Sequence, residues 1–167
     1  MNTVVNTTQS IWRTMAIDAA LIVGACLVPT LSHIFAVPLY QLNPMLLMLV
    51  AGMLLVKDRR NAMLLAVLMP VVSMVAVGMP SPLKAVCMVA ELLTVVSIAS
   101  MGVWQRVKMN TRLAGFASLL TAMLCGKVVY YALKALLLSS ATLIGTPWGI
   151  QLAVAVSAAL LYALLKK

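Results

Sequence analysis

Long apolar stretches broken by short basic clusters constrain this chain more than any other feature. Nine of its twelve Lys and Arg residues fall in four places: Arg13 ahead of the first apolar run, Lys57, Arg59 and Arg60 after the second, Arg106, Lys108 and Arg112 after the fourth, and Lys166 and Lys167 at the end. A helix satisfies its own backbone N–H and C=O groups inside hydrocarbon, and Lys and Arg concentrate at cytoplasmic helix ends. The alternation therefore predicts six membrane-spanning helices with the N-terminus and the C-terminus both in the cytoplasm. Only Lys84, Lys127 and Lys134 depart from that pattern.

Composition agrees. A chain that is 64% hydrophobic and 9% charged, with mean hydropathy +1.11, has too little polar surface for a water-soluble domain and reads as an all-α integral membrane protein. Six helices of about 20 residues take roughly 120 residues, because about 30 Å of hydrocarbon is crossed at about 1.5 Å per residue. The rest of the 167 residues suffices only for short loops. The expected organisation is a single compact six-helix domain over 1–167, with 1–11 as a short cytoplasmic segment. Met1 to Ser10 is polar and uncharged, unlike a cleavable signal peptide, so helix 1 is expected to stay as an anchor. The net charge of +9 is read as orientation signal and contact with anionic lipid, not as a nucleic-acid surface.

The expected helices are Trp12 to Leu31, Pro44 to Val56, Asn61 to Val77, Pro82 to Val103, Leu113 to Leu138 and Pro147 to Leu165, with Ser32 to Asn43 as the first external loop. Pro29 is expected to kink the first helix, and Pro70 lies within the third. The second is short for a full crossing. Helices entering from outside open with Asn43-Pro44, Ser81-Pro82 and Thr146-Pro147. An Asn, Ser or Thr side chain can accept a free backbone N–H there, while Pro has none to leave unpaired. Three helix N-termini would then aim their partial positive charge outward. Trp12 and Trp104 fall at the inner boundary and Trp148 at the outer, as amphipathic rings do.

With one His, two Asp and one Glu, the chain shows no catalytic or metal-binding constellation, and no cofactor is expected. Gly126-Lys127 superficially matches the end of a phosphate-binding loop, but Thr121 and Val128 replace the required glycine and hydroxyl. The chain is accordingly expected not to be an enzyme. Cys26, Cys87 and Cys125 show no ligand spacing and read as buried small hydrophobes.

Ionisable residues inside apolar runs carry more information, because a charge in hydrocarbon must face a protein interior or a wet cavity. Lys127, Tyr131 and Lys134 share one face of helix 5, and Glu91 at a similar depth on helix 4 is the evident counter-charge. One acid cannot neutralise two lysines. Either the surplus cation receives a carboxylate or phosphate from outside, or Lys127 and Glu91 form a structural pair while Lys134 snorkels. The mouth of such a cavity would be lined by His33, Tyr40, Gln41 and Asn43, by Met79 to Lys84 including Ser81, and by Gln151. His33 reads first as capping or lining a loop and only second as a ligand contact. Cys87 with His33 leaves room for a metal-containing guest such as cobalamin. Asp18, low on helix 1, would pair with Arg13 or with a partner protein. Ala16, Ala20 and Gly24 form a small-residue stripe suited to close helix packing, within the chain or against another.

The stripe Ala16-Ile17-Asp18-Ala19-Ala20-Leu21-Ile22-Val23-Gly24, with Pro44 to Leu55, the basic turn and the Ala-rich third helix, resembles the substrate-binding S components of energy-coupling factor (ECF) vitamin transporters. The resemblance covers most of the chain. It implies residence in a bacterial or archaeal plasma membrane and a vitamin or other micronutrient held at the outer side by helices 4 to 6 and the external loops. It also implies docking through Ala16, Ala20 and Gly24 on a transmembrane scaffold (T) subunit, with two cytoplasmic ATPases on separate chains. The expected function is high-affinity capture of a small anionic micronutrient and its delivery across the membrane. The alternative is a non-transporting six-span scaffold, similar in plan to rod-shape-determining proteins.

Overall fold

The computed structural model describes residues 2–35, 39–101, 110–138 and 147–165, with side chains described throughout except at 2–10, 29–31, 33, 35, 39 and 40. The described residues form six α-helices: α1 (Asn2–Phe35), α2 (Pro44–Leu55), α3 (Arg59–Val77), α4 (Pro82–Ser100), α5 (Thr111–Leu138) and α6 (Trp148–Leu165). A single 3₁₀ turn, Leu39–Leu42, leads into α2. Helices α2, α4 and α6 begin at one end of the bundle, the proline end; α3 and α5 begin at the other, the basic end, beside Lys57, Arg59, Arg60 and Arg112.

Five helices are long and apolar enough to cross a membrane. The 12 residues of α2 rise only about 18 Å, short of the roughly 30 Å needed. Outward-facing side chains fit a lipid solvent: Val75, Val128 and Leu136 are at least 70% exposed. Large apolar side chains left open on several helices favour acyl chains over water as surroundings.

Boundaries differ from expectation mainly in α1. It is helical from Asn2, so residues 2–11 are continuous with the first helix, and it passes through Pro29 to Phe35, taking up the start of the expected external loop. A formed helix extends at the cost of ordering one residue per hydrogen bond, and the bonds gained beyond a proline offset the donor and the steric fit that it removes. Past Pro29, the Ser32 hydroxyl donates to the Val28 carbonyl at 3.0 Å.

Small side chains bring the helices together. The core joins Leu21 and Ala25 of α1, Leu46 and Leu49 of α2, Leu65 and Ala66 of α3, Val95 and Val96 of α4, Leu119 and Ala122 of α5, and Ala158 and Ala159 of α6. With no hydrophobic drive between helices in lipid, close van der Waals contact must supply the cohesion. At Gly52 a Cβ would stand 2.8 Å from Leu65 Cδ1 and 3.2 Å from Leu21 Cδ1, so glycine there sets how near α2 lies to α1 and α3. Gly126 does the same for α4 and α5, the most intimately packed pair, where a Cβ would stand 2.8 Å from Val95 Cγ2 and 3.1 Å from the Glu91 carbonyl.

The helix caps reverse the expected arrangement. Ser81 makes no side-chain cap bond, and neither does Asn43, whose left-handed backbone (φ 48°) turns its amide elsewhere. Side-chain caps occur instead at the basic end. Asp58 Oδ1 accepts from the Arg60 N–H at 3.0 Å, and Asn110 Oδ1 accepts from the Arg112 N–H at 3.2 Å. Proline at the first helical position already removes one orphan donor, which lessens the need for a cap at α2 and α4. Thr146 lies outside the described residues, as do Trp104, Arg106, Lys108, Lys166 and Lys167.

Candidate functional site

The polar residues of the proline half converge on Glu91. Nine residues into α4, its side chain is 3% exposed, and Oε1 stands 2.7 Å from the Lys127 ammonium on α5. Removing two charges from water costs several kcal/mol each, roughly, and their mutual attraction offsets this only when the contact is close and further hydrogen bonds are made. The contact is close, and the Asn43 amide supplies a further bond, donating to Glu91 Oε1 at 3.3 Å. Asn is among the few non-glycine residues that readily take positive φ, which is how the turn before α2 delivers this amide into the bundle. Both partners meet the same oxygen. Apart from Lys127, no described residue donates to Oε2, although buried carboxylate oxygens ordinarily have donors.

Lys127 is less enclosed, at 20% side-chain exposure, and its ammonium lies 5.5 Å from the centre of the Tyr130 ring, within cation–π range. Tyr130 meets Tyr131 edge to face, with centroids 5.4 Å apart, and Tyr131 leans on Trp148 at 5.6 Å. The Tyr131 hydroxyl sits at the amide of Gln151 on α6, 2.9 Å from Oε1 and 2.6 Å from Nε2. It can donate to the first or accept from the second. Further out, buried Cys87 on α4 lies within electrostatic reach of the Lys134 ammonium.

Of the expected site residues, the structure thus joins Asn43, Glu91 and Lys127 in one cluster and Tyr131 with Gln151 in a second beside it. Ser81 and Lys84 are exposed near the start of α4, and no described contact links them to either cluster. His33 falls in α1 and Tyr40 in the 3₁₀ turn, and their side chains lie outside the described residues. Tyr130 and Trp148 join the site in addition to the expected residues. Lys127 and Lys134 stand three residues before and four after Tyr130, a helical spacing that could have marked it, whereas Trp148 reads from sequence only as a boundary anchor.

At the other end, Asp18 makes no ion pair with Arg13 among the described residues; the Asn61 amide donates to its Oδ1 at 2.8 Å, tying α1 to α3. The small-residue stripe divides. Ala16 and Ala20 face outward, whereas Gly24 packs inward, where a Cβ would stand 3.2 Å from Met48 Cε. Cys87 is buried as expected, but Cys125 is exposed on the apolar exterior. Among the described residues, no three His, Cys, Asp or Glu side chains gather as a metal site would require.

No protein-family model, no curated protein and no solved structure matches this chain.

Proposed function

We propose that the chain is a multi-pass membrane subunit of the ECF S-component type, which captures a small anionic micronutrient at the proline end of the bundle. The observation that carries this reading is the buried Glu91–Lys127 pair, in which no described residue besides Lys127 donates to Glu91 Oε2. A guest bearing both a carboxylate or phosphate and an N–H or O–H group would satisfy both members, its anion sharing Lys127 and its donor meeting Oε2. Tyr131 and Gln151 would orient it, Lys134 would add positive potential, and Asn43, Ser81, Lys84, His33 and Tyr40 would form the entrance. By the positive-inside rule, Lys57, Arg59, Arg60 and Arg112 favour a cytoplasmic basic end and an outer proline end, and the ECF resemblance implies a bacterial or archaeal plasma membrane. Exposed Ala16 and Ala20 suit docking on a T subunit, whose two associated ATPases would drive delivery.

Native mass spectrometry of the full chain, extracted gently from its membrane, tests the proposal. A vitamin-sized molecule should accompany the protein, and Lys127→Met should weaken its binding at least about tenfold, the scale of one charge-assisted hydrogen bond. Undiminished binding by the variant would remove the site.

One observation favours the second reading, a non-transporting scaffold: Lys127 already has its counter-charge within the chain. Copurification with cell-wall assembly proteins and without ATPases would select it.

A further inference from the structure

We propose that the cavity at the basic end holds the phosphate of one anionic phospholipid. This cavity, of about 270 Å³, lies where the α2–α3 turn meets the ends of α4 and α6. Lys57 and Arg59 contribute its cations, and Met53, Val96, Ala99 and Tyr162 its apolar walls. Asp58 also lines it, with Oδ1 capping α3 through the Arg60 N–H, and the two cations leave the lining with a net positive charge. Among the described residues neither cation makes an ion pair. Lys57 takes φ 57°, a left-handed conformation that non-glycine residues seldom adopt, and the tight reversal it makes sets both cations at one cavity.

Three features select a lipid over a soluble phosphate. The volume is near the lower bound of about 300 Å³ for small-molecule sites, suiting a headgroup whose chains remain outside. Leu55 and Leu161, next in sequence to the lining residues Leu54 and Tyr162, are 59% and 56% exposed, offering an apolar surface along which acyl chains continue. The cations sit at the end of the apolar helices, at the depth where a phosphate layer lies. The site is independent of the one at the proline end.

The test uses the full chain in nanodiscs of phosphatidylcholine with a minor fraction of phosphatidylglycerol, counting lipids retained on release by native mass spectrometry. One phosphatidylglycerol should be retained beyond the bulk proportion. Lys57→Ala and Arg59→Ala should each weaken retention about fivefold, following the contribution of a single basic residue near a charged membrane. Ser100→Trp fills the cavity from an exposed position without changing charge and should abolish retention. Arg13→Ala, an exposed cation on α1, should have no effect. Equal weakening by Arg13→Ala would mean diffuse attraction and overturn the proposal. So would retention by Ser100→Trp, or displacement of the lipid by glycerophosphoglycerol lacking acyl chains.

Discussion

The two ends of this bundle manage charge in opposite ways. In the proline half, Glu91 and Lys127 are drawn into the interior and neutralise each other at 2.7 Å, with Asn43 turned inward to assist. At the basic end, Lys57, Arg59, Arg60 and Arg112 are exposed, and the acid and amide beside them, Asp58 and Asn110, cap helices. A cation at a helix end can reach the headgroup layer at little cost, whereas one within the bundle must bring its own partner. Polar side chains near helix starts therefore do different work at the two ends. Asp58 secures a helix; Asn43 serves a buried carboxylate.

The sharpest way to break this comparison is to remove one member of the buried pair. Glu91→Ala leaves Lys127 without a counter-charge and should destabilise the chain by about 3 kcal/mol, the lower end of the range for breaking a buried pair, since Lys127 is partly exposed. Thermal unfolding in detergent would reveal it, and an unchanged midpoint would mean that Lys127 finds water without moving the fold. Smaller effects should separate the caps. Asp58→Ala should cost about 1 kcal/mol by loss of its bond to the Arg60 N–H. Ser81→Ala, at the matching position of α4 with no such bond, should stay within about 0.5 kcal/mol. Equal losses in denaturation of the two variants would erase the distinction between the ends.

Much of this architecture is legible in the chain. Pro44 and Pro82 mark the observed starts of α2 and α4, since proline at the first helical position is a local property needing no tertiary contact. Apolar length likewise marks five long helices and one short one. The extent of α1 was not legible, because polar Asn2 to Ser10 carries no apolar pattern, and helix there propagates from the segment that follows. At the candidate site, Glu91 was recognisable as the counter-charge because acids in apolar runs are scarce here. Asn43 was expected at the cavity mouth, but its bond to Glu91 was not legible, because local rules make Asn before Pro a cap and only the approach of the turn before α2 to α4 gives its amide a better acceptor. The partners of Asp18 and Gly24 depend on helix packing in the same way.

On the proposed function, the Glu91–Lys127 pair is kept for a guest and not for the fold. The most direct measurement compares the double variant Glu91→Gln with Lys127→Met against the parent chain, recording both thermal midpoint and retained ligand by native mass spectrometry. Replacing both members of a buried pair by neutral groups of similar volume is often without cost to stability. The account predicts a midpoint close to that of the parent together with loss of the accompanying small molecule. A double variant that keeps the ligand, or that falls as far in stability as Glu91→Ala alone, would contradict it.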